Sequence, residues 1–467
     1  MFRSRLSNDW ISKVGIDCFG HLADRTKKMH KKIGVLMGGF TPERHVSLES
    51  GRNIYSKLAA SNQYEPLPLF LSGSTKAYRI FILPAALLLK DNADDVHDAL
   101  LHPAKFSAAE ALLTVIRQEA ASITKNYAKD AIFRPEELTF STLKERIDFV
   151  FIALHGRPGE DGTLQKILEK YDIPYNGSGI ATTALTIDKY ATNQFLAKKG
   201  FQVAQQLVVT QKDWEDHPVA TIHTVANLFT YPIIAKPLDD GCSAGVIRIA
   251  NSDMLTAYAS AAFRNKPLMS SEMMQPLGLQ VADYIPQQKQ FLLETLIQKD
   301  QEALACLETT TGLLTHIDHN GKTLYEVFEP SETVAADDIL SLEEKFLAGE
   351  GHNITPARFD CNDKVAAIIS KRVKRELENI ARVLNIQGYA RIDAFVKIYA
   401  NQKIAVWIIE INALPAMTPA TCIFHQCALN GYTPFDFIHG IIQYGWTKRN
   451  FAASTETLSL DRCIKKR

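Results

Sequence analysis

The chain has 467 residues, with 52 Lys+Arg against 52 Asp+Glu, 46% hydrophobic, 22% charged and 9% aromatic residues. Those proportions are ordinary for a globular protein and argue against a disordered chain, a collagen-like repeat or a small disulfide scaffold. Zero formal net charge removes the bulk electrostatic pull expected of a nucleic-acid binder, so no nucleic-acid partner is expected.

Seven cysteines, spread from Cys18 to Cys463 without a CxxC pair, point to a reducing compartment rather than a disulfide framework. Their densest cluster, Cys422-Ile-Phe-His425-Gln-Cys427, lacks further ligands at a usual zinc spacing and reads as packing. The longest apolar stretch, Ile80–Leu89, is about half a membrane span, so no membrane association is expected. Residues 1–30 carry no apolar run followed by a small-residue cleavage site, hence do not read as a signal peptide. They form a leader that is expected to be disordered; a start at Met29 is its plain explanation. A cytoplasmic protein is the expectation.

Along the chain, Lys31–Gly39 reads as a buried strand entering a tight turn, and Val46–Leu58 as a helix that Ser47 or Thr41 could cap. A second strand, Phe149–Leu154, runs into the loop His155-Gly-Arg-Pro-Gly-Glu-Asp-Gly162, with helical spacing over Thr163–Lys170. The stretch 75–145 looks mostly helical, with Ala108–Ile123 amphipathic, and reads as an insertion. A helix is predicted over Ala181–Lys199, closed by Gly200, then strands Val203–Val209 and Pro232–Lys236. The loop Asp239–Gly245 follows, whose small side chains let backbone N–H groups approach phosphate. The last unit carries strands at Phe291–Ile297, Glu302–Thr309, Ala390–Ile398 and Ile404–Ile411, and a helix over Asp363–Leu384. The expected domains are 31–180, 181–285 and 286–450, with a tail at 451–467.

Two groups of residues carry chemistry. Lys189, in a helix-like segment, and Lys236, at the end of a strand beside the glycine loop, lie on separate elements and could clamp a nucleotide triphosphate from two sides. Near the C-terminus, period-two alternation places Arg391 and Asp393 on one face of a strand, and Glu410 and Asn412 on one face of the next. If those strands pair antiparallel, Asp393, Glu410 and Asn412 converge as an oxygen-only set suited to Mg²⁺ bridged to phosphates. The alternative is that acids and amides simply alternate outward on a half-exposed strand. The strongly apolar surroundings, Val406-Trp-Ile-Ile and Leu414-Pro, make an idle acid expensive there.

Together, Gly38-Gly-Phe-Thr-Pro-Glu43-Arg-His-Val-Ser47, Leu154–Gly162, Ile173–Gly179, Asp188-Lys189, Ala235-Lys-Pro237, Gly388–Asp393 and Glu410-Ile-Asn-Ala-Leu-Pro-Ala-Met-Thr418 resemble the D-alanine:D-alanine ligases of the ATP-grasp superfamily. The resemblance runs over about 32–445, excluding the insertion. It implies an α/β (α+β ATP-grasp) fold: an N-terminal Rossmann-like α/β domain, then two α+β lobes gripping ATP. The implied reaction is ATP-dependent joining of two D-alanines through an acyl phosphate, for peptidoglycan precursors, with two Mg²⁺ (or Mn²⁺) and commonly a homodimer.

By match of position, Lys189, Lys236 and the 241–245 loop, including Gly241 and Gly245, would hold phosphates. Glu294 would lie near the adenine and Glu302 near the ribose. The metal ligands would be Asp393, Glu410 and Asn412. Glu43 would meet the first ammonium, with His155 close by; Arg391 would stabilise the oxyanion; and Thr421 would take the place of a usual serine at the second carboxylate. The plain alternatives are that His155 is a satisfied core histidine and Glu43 an acid favoured by the helix dipole.

Four residues depart from the family pattern. Cys242 replaces the first serine of the phosphate loop, whereas Ser243 keeps the second. Phe346, beside Lys345 in the stretch matching a mobile closing loop, stands where a tyrosine is usual. A thiol donates weakly and a phenyl ring not at all, so the family's serine–tyrosine network with the acid at Glu43 is weakened at two partners together. Ala416 replaces a glycine whose N–H is the family's second oxyanion donor, and forbids a left-handed backbone there. His45 replaces a usual acid. Phenylalanine at position 346 is associated within the family with D-lactate as second substrate, which leaves a D-alanine:D-lactate ligase as the alternative activity. A non-catalytic ATP-binding paralogue is the third reading.

Overall fold

The structure is a computed structural model, which describes residues 31–102, 135–238, 245–266, 268–279, 285–334 and 353–464, with side chains described through residue 449. Its first strand, β1 (Lys31–Gly38), is buried over its last six residues and runs parallel to both β2 (Tyr64–Ser74) and β5 (Phe149–Ile152). Continuous apolar runs in β1 and β5 are what a strand covered on both faces requires. Helix α1 (Arg44–Ala59) connects β1 to β2, the right-handed crossover unit of α/β proteins.

The stretch read as a mostly helical insertion contains strands. β3 (Ala77–Ile82) pairs antiparallel with β2, and β4 (Glu136–Leu138) pairs with β3, giving the order β4-β3-β2-β1-β5. α2 (Ala93–Leu101) begins between them, capped by the Asn92 side chain. The amphipathic Ala108–Ile123 segment lies outside the described residues. α3 (Phe140–Arg146) leads into β5, and α4 occupies Thr163–Lys170, the bounds predicted.

The helix expected over 181–199 is two helices, α5 (Ile180–Thr186) and α6 (Lys189–Lys198). Asp188 breaks it: with extended backbone, its carboxylate accepts from Ala191 N–H at 2.8 Å and starts α6 as a new N-terminus. β6 (Gln202–Val203) comes next and pairs with the C-terminal sheet, not the central one. The central lobe then follows as β7 (Gln206–Thr210), α7 (Gln211–Asp216), α8 (Pro218–Leu228), β8 (Ile233–Pro237), β9 (Ile247–Ile249) and α9 (Ser252–Ala262). After it come α10 (Ser271–Met274) and β10 (Gln290–Thr295). Its antiparallel sheet has the order β7-β10-β8-β9 and packs on a core that includes Tyr258, Phe291 and Leu293.

The C-terminal sheet runs β14-β13-β11-β15-β16-β6, with β12 also paired to β11. Its strands are β11 (Ala305–Ile317), β12 (Thr323–Val327), β13 (Ser331–Thr333), β14 (Asn353–Ile354), β15 (Tyr389–Ile398) and β16 (Ile404–Asn412). α11 (Asp363–Val383) covers this sheet through Ile369, Val373, Leu377 and Ile380, apolar at helical spacing. α12 (Cys422–Leu429) and α13 (Pro434–Ile464) follow. Phe437, Ile438, Ile441 and Ile442 of α13 join the core of the N-terminal sheet, so the first and last segments share one interior. On α12, Cys422 and Cys427 are buried whereas His425 is exposed. No helix among the described residues is long and apolar enough to cross a membrane.

Candidate active site

The pairing of β15 with β16 is antiparallel and its register sets Asp393 opposite Glu410 and Arg391 opposite Asn412. A bulge between Asp393 and Ala394 marks the point where the ladder shifts, as at many functional sheet edges. Alternation then brings the four side chains to one face. Arg391 donates from Nε to Asp393 Oδ1 at 3.0 Å and from its terminal nitrogen to Oδ2 at 2.8 Å, and that nitrogen lies 3.7 Å from Glu410 Oε1. Thr310 adds a hydroxyl at 2.6 Å from Asp393 Oδ1, and the Asn412 amide lies within 3.5 Å of both carboxylates. Burial works against the Arg391 charge, but the two carboxylates outweigh it and raise its pKa.

Lys189, the first residue of α6, reaches the same face, its ammonium 3.7 Å from Glu410 Oε2. Its backbone N–H is bonded to Leu238 O, at the mouth of the glycine loop. Among the described residues no group of three or more His, Cys, Asp or Glu stands together as a metal site. The nearest donor set is the Asp393 and Glu410 carboxylates with the Asn412 amide. Oxygen donors of this kind fit a hard divalent cation, with Arg391 and Lys189 as the charges already balancing them.

Two adjoining pockets, of about 370 and 430 Å³, open over this face. Both are lined by Glu43, Glu160, Glu410 and Asn412; Arg391, His155 and Ala416 wall one, Lys189 and Gly156 the other. Glu43 stands just ahead of α1 with no capping bond from its side chain. Its carboxylate lies 2.7 Å from where a Cβ on Gly156 would be, so a side chain there would push the carboxylate aside, and the backbone at Gly156, with φ +66°, favours glycine. Neither expected cap of α1 acts as one: Ser47 Oγ accepts from Gly38 N–H and Thr41 donates to His155 O.

His155 is buried with both ring nitrogens engaged, Nε2 at 2.9 Å from Ser50 Oγ and Nδ1 at 3.1 Å from Leu414 O. A carbonyl only accepts, so Nδ1 carries the proton and Nε2 accepts from the serine hydroxyl. Burial lowers its pKa to about 4, and the ring is neutral at pH 7.

Glu160, quoted within a motif but given no role from sequence, is a wall of both pockets. Its two oxygens accept from Gly156 N–H at 2.8 Å and Leu414 N–H at 3.2 Å. Burial first, and then the neighbouring Glu43 carboxylate, push its pKa up to about 8. The signal in the sequence was an acid set among the glycines 156, 159 and 162, of which 156 and 162 take positive φ.

A second charged cluster is built on three adjacent strands, β7, β10 and β8. Glu294 on β10 sits opposite Gln206 on β7 and diagonal to Lys236 on β8. Its carboxylate lies 2.6 Å from the Lys236 ammonium and accepts from Gln206 at 2.5 Å. Glu302 is exposed in the loop between β10 and β11. Thr421 precedes α12 and donates its hydroxyl to Thr418 O at 2.8 Å. Ala416 is not among the positive-φ residues, so exchanging glycine for alanine introduces no left-handed strain. His45 sits over α2, its ring 3.6 Å from Asp94. Gly241, Cys242, Ser243, Lys345 and Phe346 lie outside the described residues, whereas Gly245, ahead of β9, has φ +71°.

The family model described as D-ala D-ala ligase N-terminus matches residues 32–178, and that described as D-ala D-ala ligase C-terminus matches 195–274 and 279–443. A D-alanine–D-alanine ligase from Chlorobaculum tepidum is 25% identical over 418 residues, covering 90% of this chain and 97% of the relative. One from Geotalea uraniireducens is 27% identical over 388 residues, covering 83% and 87%. Among solved structures, the VanG D-Ala:D-Ser ligase from Enterococcus faecalis superposes with TM-score 0.58 at 18% identity, covering 89% of this chain and 99% of that one. The D-alanine–D-alanine ligase from Coxiella burnetii gives 0.56 at 18%, covering 93% and 98%.

Proposed function

The chain belongs to the D-alanine–D-alanine ligase family, and on that premise we propose that it joins two D-alanines at the expense of ATP, with Mg²⁺ held on the β15–β16 face. The observation that carries this is the strand register that sets Asp393 against Glu410 and Arg391 against Asn412 beneath the pocket walled by Glu43. A carboxylate oxygen of the first D-alanine attacks the γ-phosphorus, the bond to ADP breaks, and an acyl phosphate results. The amine of the second D-alanine then attacks the acyl carbon; the C–N bond forms, phosphate leaves with its electron pair, and the amine gives up a proton.

Little covalent chemistry falls to the protein, so its residues act by position and charge. Asp393, Glu410 and Asn412 would hold Mg²⁺, which supplies neutralisation of the transferring phosphoryl group. Lys189, beside Glu410, and Lys236, on the strand entering the glycine loop, would bind phosphate oxygens, with Gly241, Ser243 and Gly245 contributing from the loop. Glu294 tethers the Lys236 ammonium at the nucleotide end. Glu43 supplies negative charge for the first ammonium, and Arg391 a cation for the oxygen that gains charge on the acyl carbon. Thr421 is the candidate contact for the second carboxylate, to which its hydroxyl would donate on leaving Thr418 O, and Glu302 would meet the ribose. A cytoplasmic location and a homodimer rest on the family resemblance.

Asp393→Ala and Glu410→Ala are each expected to abolish D-alanine-dependent ADP formation and to weaken Mn²⁺ binding, read by electron paramagnetic resonance in the presence of a non-hydrolysable ATP analogue. Undiminished turnover in both would end the assignment. D-lactate as acceptor is favoured by Phe346, and D-alanyl-D-lactate as the main product in a mixed assay would establish it.

A further inference from the structure

The segment that follows β16 is not held by its own strand. Four buried or half-buried side chains of the N-terminal domain grip its backbone. Leu414 N–H donates to Glu160 and Leu414 O accepts from His155 Nδ1–H. Met417 N–H donates to Ser50 Oγ at 3.0 Å, and Met417 O accepts from the Asn53 amide at 2.8 Å. Ser50 is fully buried, and its hydroxyl joins two of these contacts: it accepts from Met417 and donates to His155 Nε2. The result is a continuous relay from Met417 N–H through Ser50 and His155 to Leu414 O. Between the gripped residues, Pro415 has no N–H. Among the described residues the Ala416 N–H has no hydrogen-bond partner, and Ala416 lines the pocket with Arg391.

α1 is built for this task. Its buried face is apolar through Leu48, Gly51, Ile54 and Leu58, but Ser47, Ser50 and Asn53 add a buried polar edge at i, i+3 and i+6. Buried polar side chains at that spacing need partners, and the 414–417 backbone provides them for Ser50 and Asn53.

We propose that Ser50, with Asn53, His155 and Glu160, is a positioning clamp that fixes the Leu414–Met417 backbone and so presents the Ala416 N–H to the pocket beside Arg391. The role of that N–H in the second step rests on the ligase reading; the clamp itself does not. Ser50→Ala removes the shared hydroxyl and leaves Met417 N–H and His155 Nε2 unpaired. Asn53→Ala releases Met417 O and serves if Ser50→Ala folds poorly. Ser50→Thr keeps the hydroxyl as the rescue, and Ser56→Ala, exposed on the same helix, is the control.

Two readouts apply to the full chain. Hydrogen exchange by mass spectrometry on a peptide spanning 413–418 is expected to speed up roughly tenfold or more in Ser50→Ala or Asn53→Ala, and not in Ser56→Ala. In turnover with ATP, Mg²⁺ and D-alanine, dipeptide formed per ADP is expected to fall at least about tenfold while KM for ATP holds, because a displaced oxyanion donor weakens aminolysis and not phosphorylation. Ser50→Thr should restore both. Unchanged exchange overturns the clamp. Faster exchange with an unchanged product ratio overturns its positioning role, since the contacts are then only structural. If the unmodified chain makes no dipeptide, the ligase reading fails, and the exchange comparison still decides the clamp.

Discussion

Removing the Glu294 carboxylate isolates a buried charge. The Lys236 and Glu294 side chains are 5% and 9% exposed, their charged atoms 2.6 Å apart, with Gln206 as a further donor to the acid. In Glu294→Ala the Lys236 ammonium stays between β-strands without its counter-ion, and the Gln206 amide loses its acceptor. Breaking a buried pair from one side is worth about 3–5 kcal/mol, far more than loss of a surface pair at about 0–1 kcal/mol. The double replacement Lys236→Met with Glu294→Leu leaves no orphaned charge on that sheet and is expected within about 2 kcal/mol of the parent. Urea unfolding followed by circular dichroism gives the three free energies, and calorimetric titration of ATP should show binding lost in the double variant although its fold is recovered. A loss under about 1 kcal/mol in Glu294→Ala, with no recovery in the double variant, would refute the reasoning, because the pair would then be behaving as a solvated one.

Further expectations follow from the pocket walls. Gly156→Ala forces a side chain against the Glu43 carboxylate at a left-handed backbone position, and is expected to depress kcat/KM for D-alanine at least about tenfold, checked by steady-state kinetics. Glu160, raised to about 8 by burial and by Glu43, keeps its proton in the folded state at neutral pH. Its contribution to stability is therefore complete below the unfolded carboxyl value of about 4.3 and is lost as pH rises through about 8. Glu160→Gln should flatten the stability profile across that window in urea titrations at stepped pH, and an unaltered slope would mean that the acid is ionised throughout.

Much of the convergence on the β15–β16 face was legible because alternation along a strand is local. Arg391 and Asp393, and Glu410 and Asn412, are each two residues apart, and a short connection makes their strands neighbours. The break at Asp188 was less legible, since Ala181–Lys199 is good helix-forming sequence and only the Asp188 cap reveals two helices. β3 and β4 were hidden for a different reason: β4 has only three residues, and their pairing joins segments more than 50 residues apart. The clamp shows the limit most clearly. Ser50 and Asn53 are polar at positions that helical periodicity buries, which signals a partner, but the partner lies more than 360 residues away in sequence. His155 was read as close to the first-substrate site or else as a satisfied core histidine; it lines the pocket with Glu43 while both of its nitrogens engage Ser50 and Leu414.

The central claim is the joining reaction itself, and purified protein with ATP, Mg²⁺ and D-alanine tests it most directly, with ADP followed continuously and the product weighed by mass spectrometry. The account predicts ADP release that depends on D-alanine and one D-alanyl-D-alanine formed per ADP. ATP binding without any D-alanine-dependent ADP release would contradict it.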